Sequence, residues 1–229
     1  LNFSKFFKSL GGLFCLSLIL NGSVQADSKI ENWVQINQTL NFNDSLGLFT
    51  EVQPRISYSE GELASMIARL APIYTINSHH SVGAGFLWQG NFSPSASNET
   101  RLFLQYIFSH GAGGSSLFAH RFRAEHRALN TTIDKAYRLR YQLRSLHYWL
   151  GSSNLRVLLA NELFFNLNTT AISGPVSGFD QNRLVLGFNY IWSKNLNSDF
   201  GYMNNYIRKP RSIEDRTNHI FYYCLNATF

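Results

Sequence analysis

Cysteine, methionine and proline are scarce in this chain of 229 residues, with two, two and five copies. Beyond residue 26 the only cysteine is Cys224, which excludes a disulfide framework and any metal cluster built from thiolates. Nowhere in that remainder do twenty apolar residues run together. Its longest uncharged stretch, 70–98, holds Pro72, Asn77, His79, His80 and Gln89, so a membrane-spanning helix is excluded there. Lysine is rare too: beyond residue 26 there are four against fourteen arginines, with 14 acidic residues. That basic excess is modest and implies no nucleic-acid partner. Mean hydropathy is slightly negative at −0.14, yet aromatic residues make up 15% of the chain.

What is present begins with an address. Lys5 and Lys8 form a short cationic region, Leu10 to Leu20 an apolar run broken only by Ser17 among its non-polar residues, and Val24-Gln25-Ala26 a small-residue cleavage pattern. This is the order of a secretory signal peptide. A transmembrane anchor is the rival, but such a run rises only about 16 Å as a helix, short of a bilayer core. Cys15 follows Phe14, which is not the setting of a lipid-modified cysteine. The expected organisation is a signal peptide over 1–26 and one domain over 27–229.

The domain reads as strands. Phe221, Tyr223, Leu225, Ala227 and Phe229 alternate with Tyr222, Cys224, Asn226 and Thr228, a period of two that marks a strand with unlike faces. An aromatic strand ending on Phe resembles the C-terminal assembly signal of bacterial outer-membrane barrels, which implies Phe221, Tyr223, Leu225 and Phe229 as the expected contacts of the barrel assembly machinery. Similar alternation recurs over 33–42, 46–58, 64–75, 82–89, 101–108, 117–128, 137–149, 155–167, 183–192 and 199–207, with polar turns between. A chain of such strands enters a bilayer only as a closed barrel, because no other strand arrangement satisfies the backbone in lipid. The expected fold is therefore all-β, a single antiparallel transmembrane barrel of 10–12 strands. Its short connections, near 76–80, 110–115, 150–154 and 193–197, are expected in the periplasm. The longer ones, near 90–100, 129–136, 168–179 and 209–216, are expected outside. The raw count is eleven; even numbers rule in single-chain bacterial barrels, so ten or twelve is expected.

Charge falls on one face of two central strands. Arg121, Arg123, Glu125 and Arg127 share a parity, as do Arg138, Arg140, Gln142 and Arg144. An arginine facing lipid at the midplane costs about 2–4 kcal/mol, so this face is expected to line the lumen. With the intervening turn centred near Thr132, Glu125 lies opposite Arg140 and near Arg138 and Arg144. Arg101, Glu162 and Arg183 join the same charge network, since planar guanidinium forks suit carboxylates. Two consequences stand open. The network either plugs and braces a narrow barrel, or leaves a net positive pore that favours small anionic solutes.

Several of these runs resemble a known family. His120-Arg121-Phe122-Arg123-Ala124-Glu125-His126-Arg127 with Tyr137-Arg138-Leu139-Arg140-Tyr141 is similar to its central arginine hairpin. Asn161-Glu162-Leu163-Phe164, Phe179-Asp180-Gln181-Asn182-Arg183-Leu184 and Gly201-Tyr202-Met203 are similar to its later motifs. The family is that of the uncharacterised bacterial outer-membrane barrels grouped as domain of unknown function 2490. The resemblance covers most of the domain and implies an outer-membrane β-barrel; it carries no activity across.

Enzymatic alternatives find little support in the residues. His79-His80-Ser81 places a histidine two positions before a serine, as in outer-membrane lipid A deacylases, but without an orienting carboxylate. Asp180, Gln181 and Asn182 lie beside Arg183, which disfavours a cation site, and the other histidines lack metal-ligand spacing. A soluble periplasmic β-sandwich would need a polar exterior in place of Tyr, Trp and Phe on nearly every strand. The reading is a non-enzymatic outer-membrane barrel without cofactor or metal, embedded in outer-membrane lipid, with a lipid- or lipid A-modifying hydrolase as the alternative.

Overall fold

The computed structural model describes residues 27–58, 61–93, 95–112, 115–149, 151–171, 174–209 and 214–229; the signal-peptide region 1–26 lies outside them. The described residues form eleven strands and no helix. They are β1 (Asp27–Asn41), β2 (Leu46–Ser57), β3 (Glu62–Thr75), β4 (His80–Asn91), β5 (Ser97–Ala112), β6 (Ser116–Leu129), β7 (Lys135–Tyr148), β8 (Leu155–Asn166), β9 (Gly178–Ser193), β10 (Leu196–Ile207) and β11 (Arg216–Thr228). Each strand pairs antiparallel with its sequence neighbours, and β1 pairs with β11 to close the sheet.

The closure corrects the expected even count. In an up-and-down sheet an odd number of strands sends the first and the last in the same direction, so their pairing must be parallel. Here thirteen residue pairs, from Asp27–Arg216 to Thr39–Thr228, form that parallel seam. Odd-stranded membrane barrels exist, so the even rule is a habit of bacterial barrels and not a requirement of closure. A count of ten would put the first strand outside the wall and a count of twelve would need one strand more; instead β1 is held on both edges, by β11 and by β2. Asn41 N–H donates to the Phe229 carbonyl at 2.7 Å, and Phe229 N–H to the Thr39 carbonyl at 2.9 Å, continuing the seam beyond Thr39–Thr228.

At a spacing of about 4.8 Å and a tilt of about 40°, eleven strands close on a Cα radius of about 11 Å, narrow enough for long side chains to meet inside. Strand parity sorts the residues. Trp33, Glu51, Ile67, Leu87, Glu99, Glu125, Arg138, Glu162, Asn189, Asp199 and Cys224 are buried, whereas Leu104, Phe122, Leu139, Leu186, Phe200 and Phe221 are exposed on the outer face. Two apolar clusters sit within the wall. Trp33, Leu158, Ala160, Val185, Met203 and Ile220 join β1 to β8–β11; Ile67, Ala71, Leu87 and Phe103 join β3, β4 and β5. Gly187 and Gly201 face one another across β9 and β10. A Cβ on Gly187 would lie 2.3 Å from the Phe200 carbonyl oxygen, so the close approach of these strands requires glycine.

Candidate functional site

Hairpin β6–β7 supplies the centre of the lumen. Its register sets Glu125 against Arg138 and Arg123 against Arg140, not Glu125 against Arg140 as the sequence spacing suggested. Moving a turn's centre by one residue moves the partner by two. The charged face is kept while each pairing changes. Glu125 nevertheless reaches both arginines of β7. Its Oε2 accepts from Arg138 Nε and Nη2 at 2.9 and 2.6 Å, and its Oε1 accepts from Arg140 Nη1 at 2.7 Å.

Glu162, on β8, continues the chain. It accepts from Arg140 Nε and Nη2 at 3.0 and 2.7 Å and from Arg121 Nη2 at 2.9 Å. Arg140 thus spends its whole planar fork on two carboxylates, the geometry that makes guanidinium pairs strong. Arg138 adds Asp180 at 3.4 Å.

The other expected members fall elsewhere. Arg101 and Arg127 converge on Glu99, with Arg101 Nε at 2.6 Å and Arg127 Nη2 at 3.1 Å, and Arg101 also donates to Gln89 at 2.8 Å. Arg144 does not approach Glu125. It reaches past β8 and β9 to both oxygens of Asp199, at 2.8 Å each. Arg183 has amide partners, Asn205 at 3.2 Å and Gln181 at 3.3 Å. Arg123 stays 3.9 Å from Glu125 and donates to Gln105 at 2.7 Å; its Nε and Nη1 are buried without a hydrogen-bond partner. Sequence reasoning missed Glu99, Asp199, the Arg69–Glu51 pair at 3.1 Å, and Arg55. The signal for Glu99 was its period of two with Arg101 and Phe103. Asp199 carried none, because its partner lies three strands away.

Aromatic rings make the crowding of like charge tolerable. The Trp33 ring is flanked by Arg55 at 3.6 Å and Arg183 at 5.1 Å. Phe164, fully buried, bears Arg138, Arg140 and Arg183 at 5.1, 4.5 and 4.7 Å. Phe103 bears Arg123 at 4.4 Å and Arg69 at 5.8 Å. Each such contact is worth about 0.5–2 kcal/mol, more where water is excluded. The space that remains is a cavity of about 550 Å³. It extends from Asn91 and Ser97 near one end of the barrel to Asn37 and Asn226 near the other. Among the described residues eleven basic and four acidic side chains line it.

A family described as protein of unknown function (DUF2490) matches residues 30–217. The chain belongs to that family. The DUF2490 match begins in β1 and ends at the start of β11, so it takes in the arginine hairpin, Glu162, the Asp180–Arg183 motif and most of the wall. No curated protein and no solved structure matches the chain.

The remaining candidates of this DUF2490 barrel are placed as follows. Phe221, Tyr223 and Leu225 share the outward parity of β11, and Phe229 is exposed beyond its end. His79 Nδ1 contacts the Ser109 carbonyl oxygen at 2.9 Å, and so is engaged away from Ser81. Gln181 bonds Arg183, while Asp180 turns to Arg138. Among the described residues no group of three or more His, Cys, Asp or Glu side chains is placed to hold a metal ion.

Proposed function

We propose that this protein is a non-enzymatic barrel of the bacterial outer membrane, reached after removal of residues 1–26, whose positively lined lumen is a narrow passage favouring small anions. The observation that carries this reading is the lining of the cavity, eleven basic side chains against four acidic. A low-dielectric wall focuses that imbalance into a field that attracts anions and repels cations. Embedding in outer-membrane lipid is supported by the outer face. Leu104 is 66% exposed, Phe221 57% and Leu186 55%, and an apolar belt of this kind is costly in water and favourable in lipid. Strands of 12 to 16 residues exceed the 9–11 or so that a tilted strand needs to cross a bilayer. Insertion by the barrel assembly machinery belongs to the same reading. The hydrolase alternative lacks support at His79, whose Nδ1 meets a backbone carbonyl.

A second reading, a barrel braced from within that conducts nothing, draws on the ion pairs and on the cluster of Trp33, Leu158, Met203 and Ile220 inside the wall. Cell fractionation tests the location: the protein should stay with outer membranes and need detergent for release. Recovery in the osmotic-shock fluid would reject the membrane reading. Steady single-channel currents after insertion into planar bilayers would favour the passage, and silence the brace.

A further inference from the structure

The outer face carries a feature that the lumen does not explain. On β5 and β6, near the end of the barrel that bears the 113–115 connection, His110 lies opposite Phe118 and His120 opposite Phe108. The two histidines are therefore diagonal neighbours on one face, within reach of each other. Their Nε2 atoms point together at 3.3 Å, with ring centroids 5.4 Å apart and planes within 14°. Phe108 stacks on both rings, at 5.2 and 5.8 Å, and Phe118 on His110 at 5.2 Å. Tyr141 Oη lies 2.9 Å from His120 Nδ1.

We propose that His110 and His120 form a two-imidazole site for a tetrahedral divalent metal ion, zinc in the first instance, on the outer rim of the barrel. The geometry carries this. Two imidazole nitrogens about 2.0–2.1 Å from one tetrahedral ion stand about 3.3–3.4 Å apart, with ring centroids about 5.2 Å apart. Both separations match those of the pair. A square-planar ion would draw the nitrogens to about 2.8–2.9 Å, so a tetrahedral zinc fits better than a tetragonal copper(II).

The contact to Tyr141 completes the argument. When His120 donates its Nδ1–H to the Tyr141 oxygen, Nε2 is left with a lone pair aimed at His110. Metal-bound histidines are held in this way by a partner on the other ring nitrogen. Stacking on Phe108 and Phe118 fixes both rings, so little ordering remains to be done on binding. Two protein ligands leave two positions for water, so the ion is exchangeable. Both histidines are only partly buried, which gives a solvated ion a way in from the rim. Without a metal, the same pair shares a single N–H between neutral imidazoles; this is the outcome that the test must separate.

Zinc alone, titrated calorimetrically into the folded barrel in detergent micelles, should bind at one equivalent. His110→Gln and His120→Gln should each abolish that binding. Tyr141→Phe should weaken it about 10- to 100-fold, and His126→Gln, on the same strand, should leave it unchanged. Circular dichroism checks that every variant is folded. Should a histidine replacement prevent folding, the wild-type barrel decides through zinc-dependent protection of both histidines from diethyl pyrocarbonate. No saturable one-equivalent binding, binding that survives both histidine replacements, or no protection would overturn the proposal and leave only a hydrogen bond.

Discussion

Glu125→Gln keeps the shape of the central carboxylate and removes its charge. The glutamate side chain is fully buried and accepts three bonds from two arginines. The two arginines differ in what they have left. Arg140 keeps both of its bonds to Glu162, whereas Arg138 keeps only Asp180 at 3.4 Å. Removing one member of a buried pair costs about 3–5 kcal/mol, mostly because the other charge stays buried. The amide oxygen still accepts one bond and Asp180 takes part of the charge, so the expected loss is about 3 kcal/mol. The burden falls on Arg138, so Arg138→Gln in the same chain should restore part of the loss, with a coupling of about 1–3 kcal/mol. Arg140→Gln should restore less, since it strips Glu162 of two bonds. Urea unfolding of the barrel in lipid vesicles, followed by tryptophan fluorescence, measures all four corners of each cycle. A loss below about 1 kcal/mol, or additivity of Glu125→Gln and Arg138→Gln within about 0.5 kcal/mol, would refute the reasoning.

Three further outcomes are expected. Leu104→Arg puts a guanidinium on the outer face midway along β5 and should destabilise the vesicle-inserted barrel by about 2–4 kcal/mol; unchanged stability would argue that this face does not meet lipid. Gly201→Ala sets a Cβ 2.4 Å from the Leu186 carbonyl oxygen, and should cost about 1–3 kcal/mol or more in the same assay because backbone must move. Gln35→Cys, opposite Cys224 across the parallel seam, should oxidise to a cross-link visible as a gel shift, since neighbouring strands about 4.8 Å apart fall within disulfide reach; Gln38→Cys, on the outward parity, should not.

Strand rhythm and facing were legible in the sequence because they depend on parity alone. Phe221 and Tyr223 outward, Tyr222 and Cys224 inward, and the arginines of 121–127 and 138–144 on one face follow from a period of two and from the cost of arginine in lipid. Register was less legible. The residues of the 130–134 turn admit centres one position apart, and that step exchanges Arg140 for Arg138 opposite Glu125. Contacts between strands that are not sequence neighbours left no local trace. Arg144 meets Asp199 past two strands, and Arg183 meets Trp33 past β10 and β11; both arise only once the sheet has closed. The closure itself was obscured by the even-number habit, although the raw count of eleven was already there to be read.

The central claim is that the lumen is a positive passage, and its most direct test is the reversal potential of single barrels in a planar bilayer under a tenfold potassium chloride gradient. The account predicts a reversal potential displaced towards that of chloride. Arg183→Gln should reduce the displacement, because Arg183 is held by amides and rings and its removal strips no carboxylate of a hydrogen bond. A reversal potential displaced towards that of potassium would contradict the account.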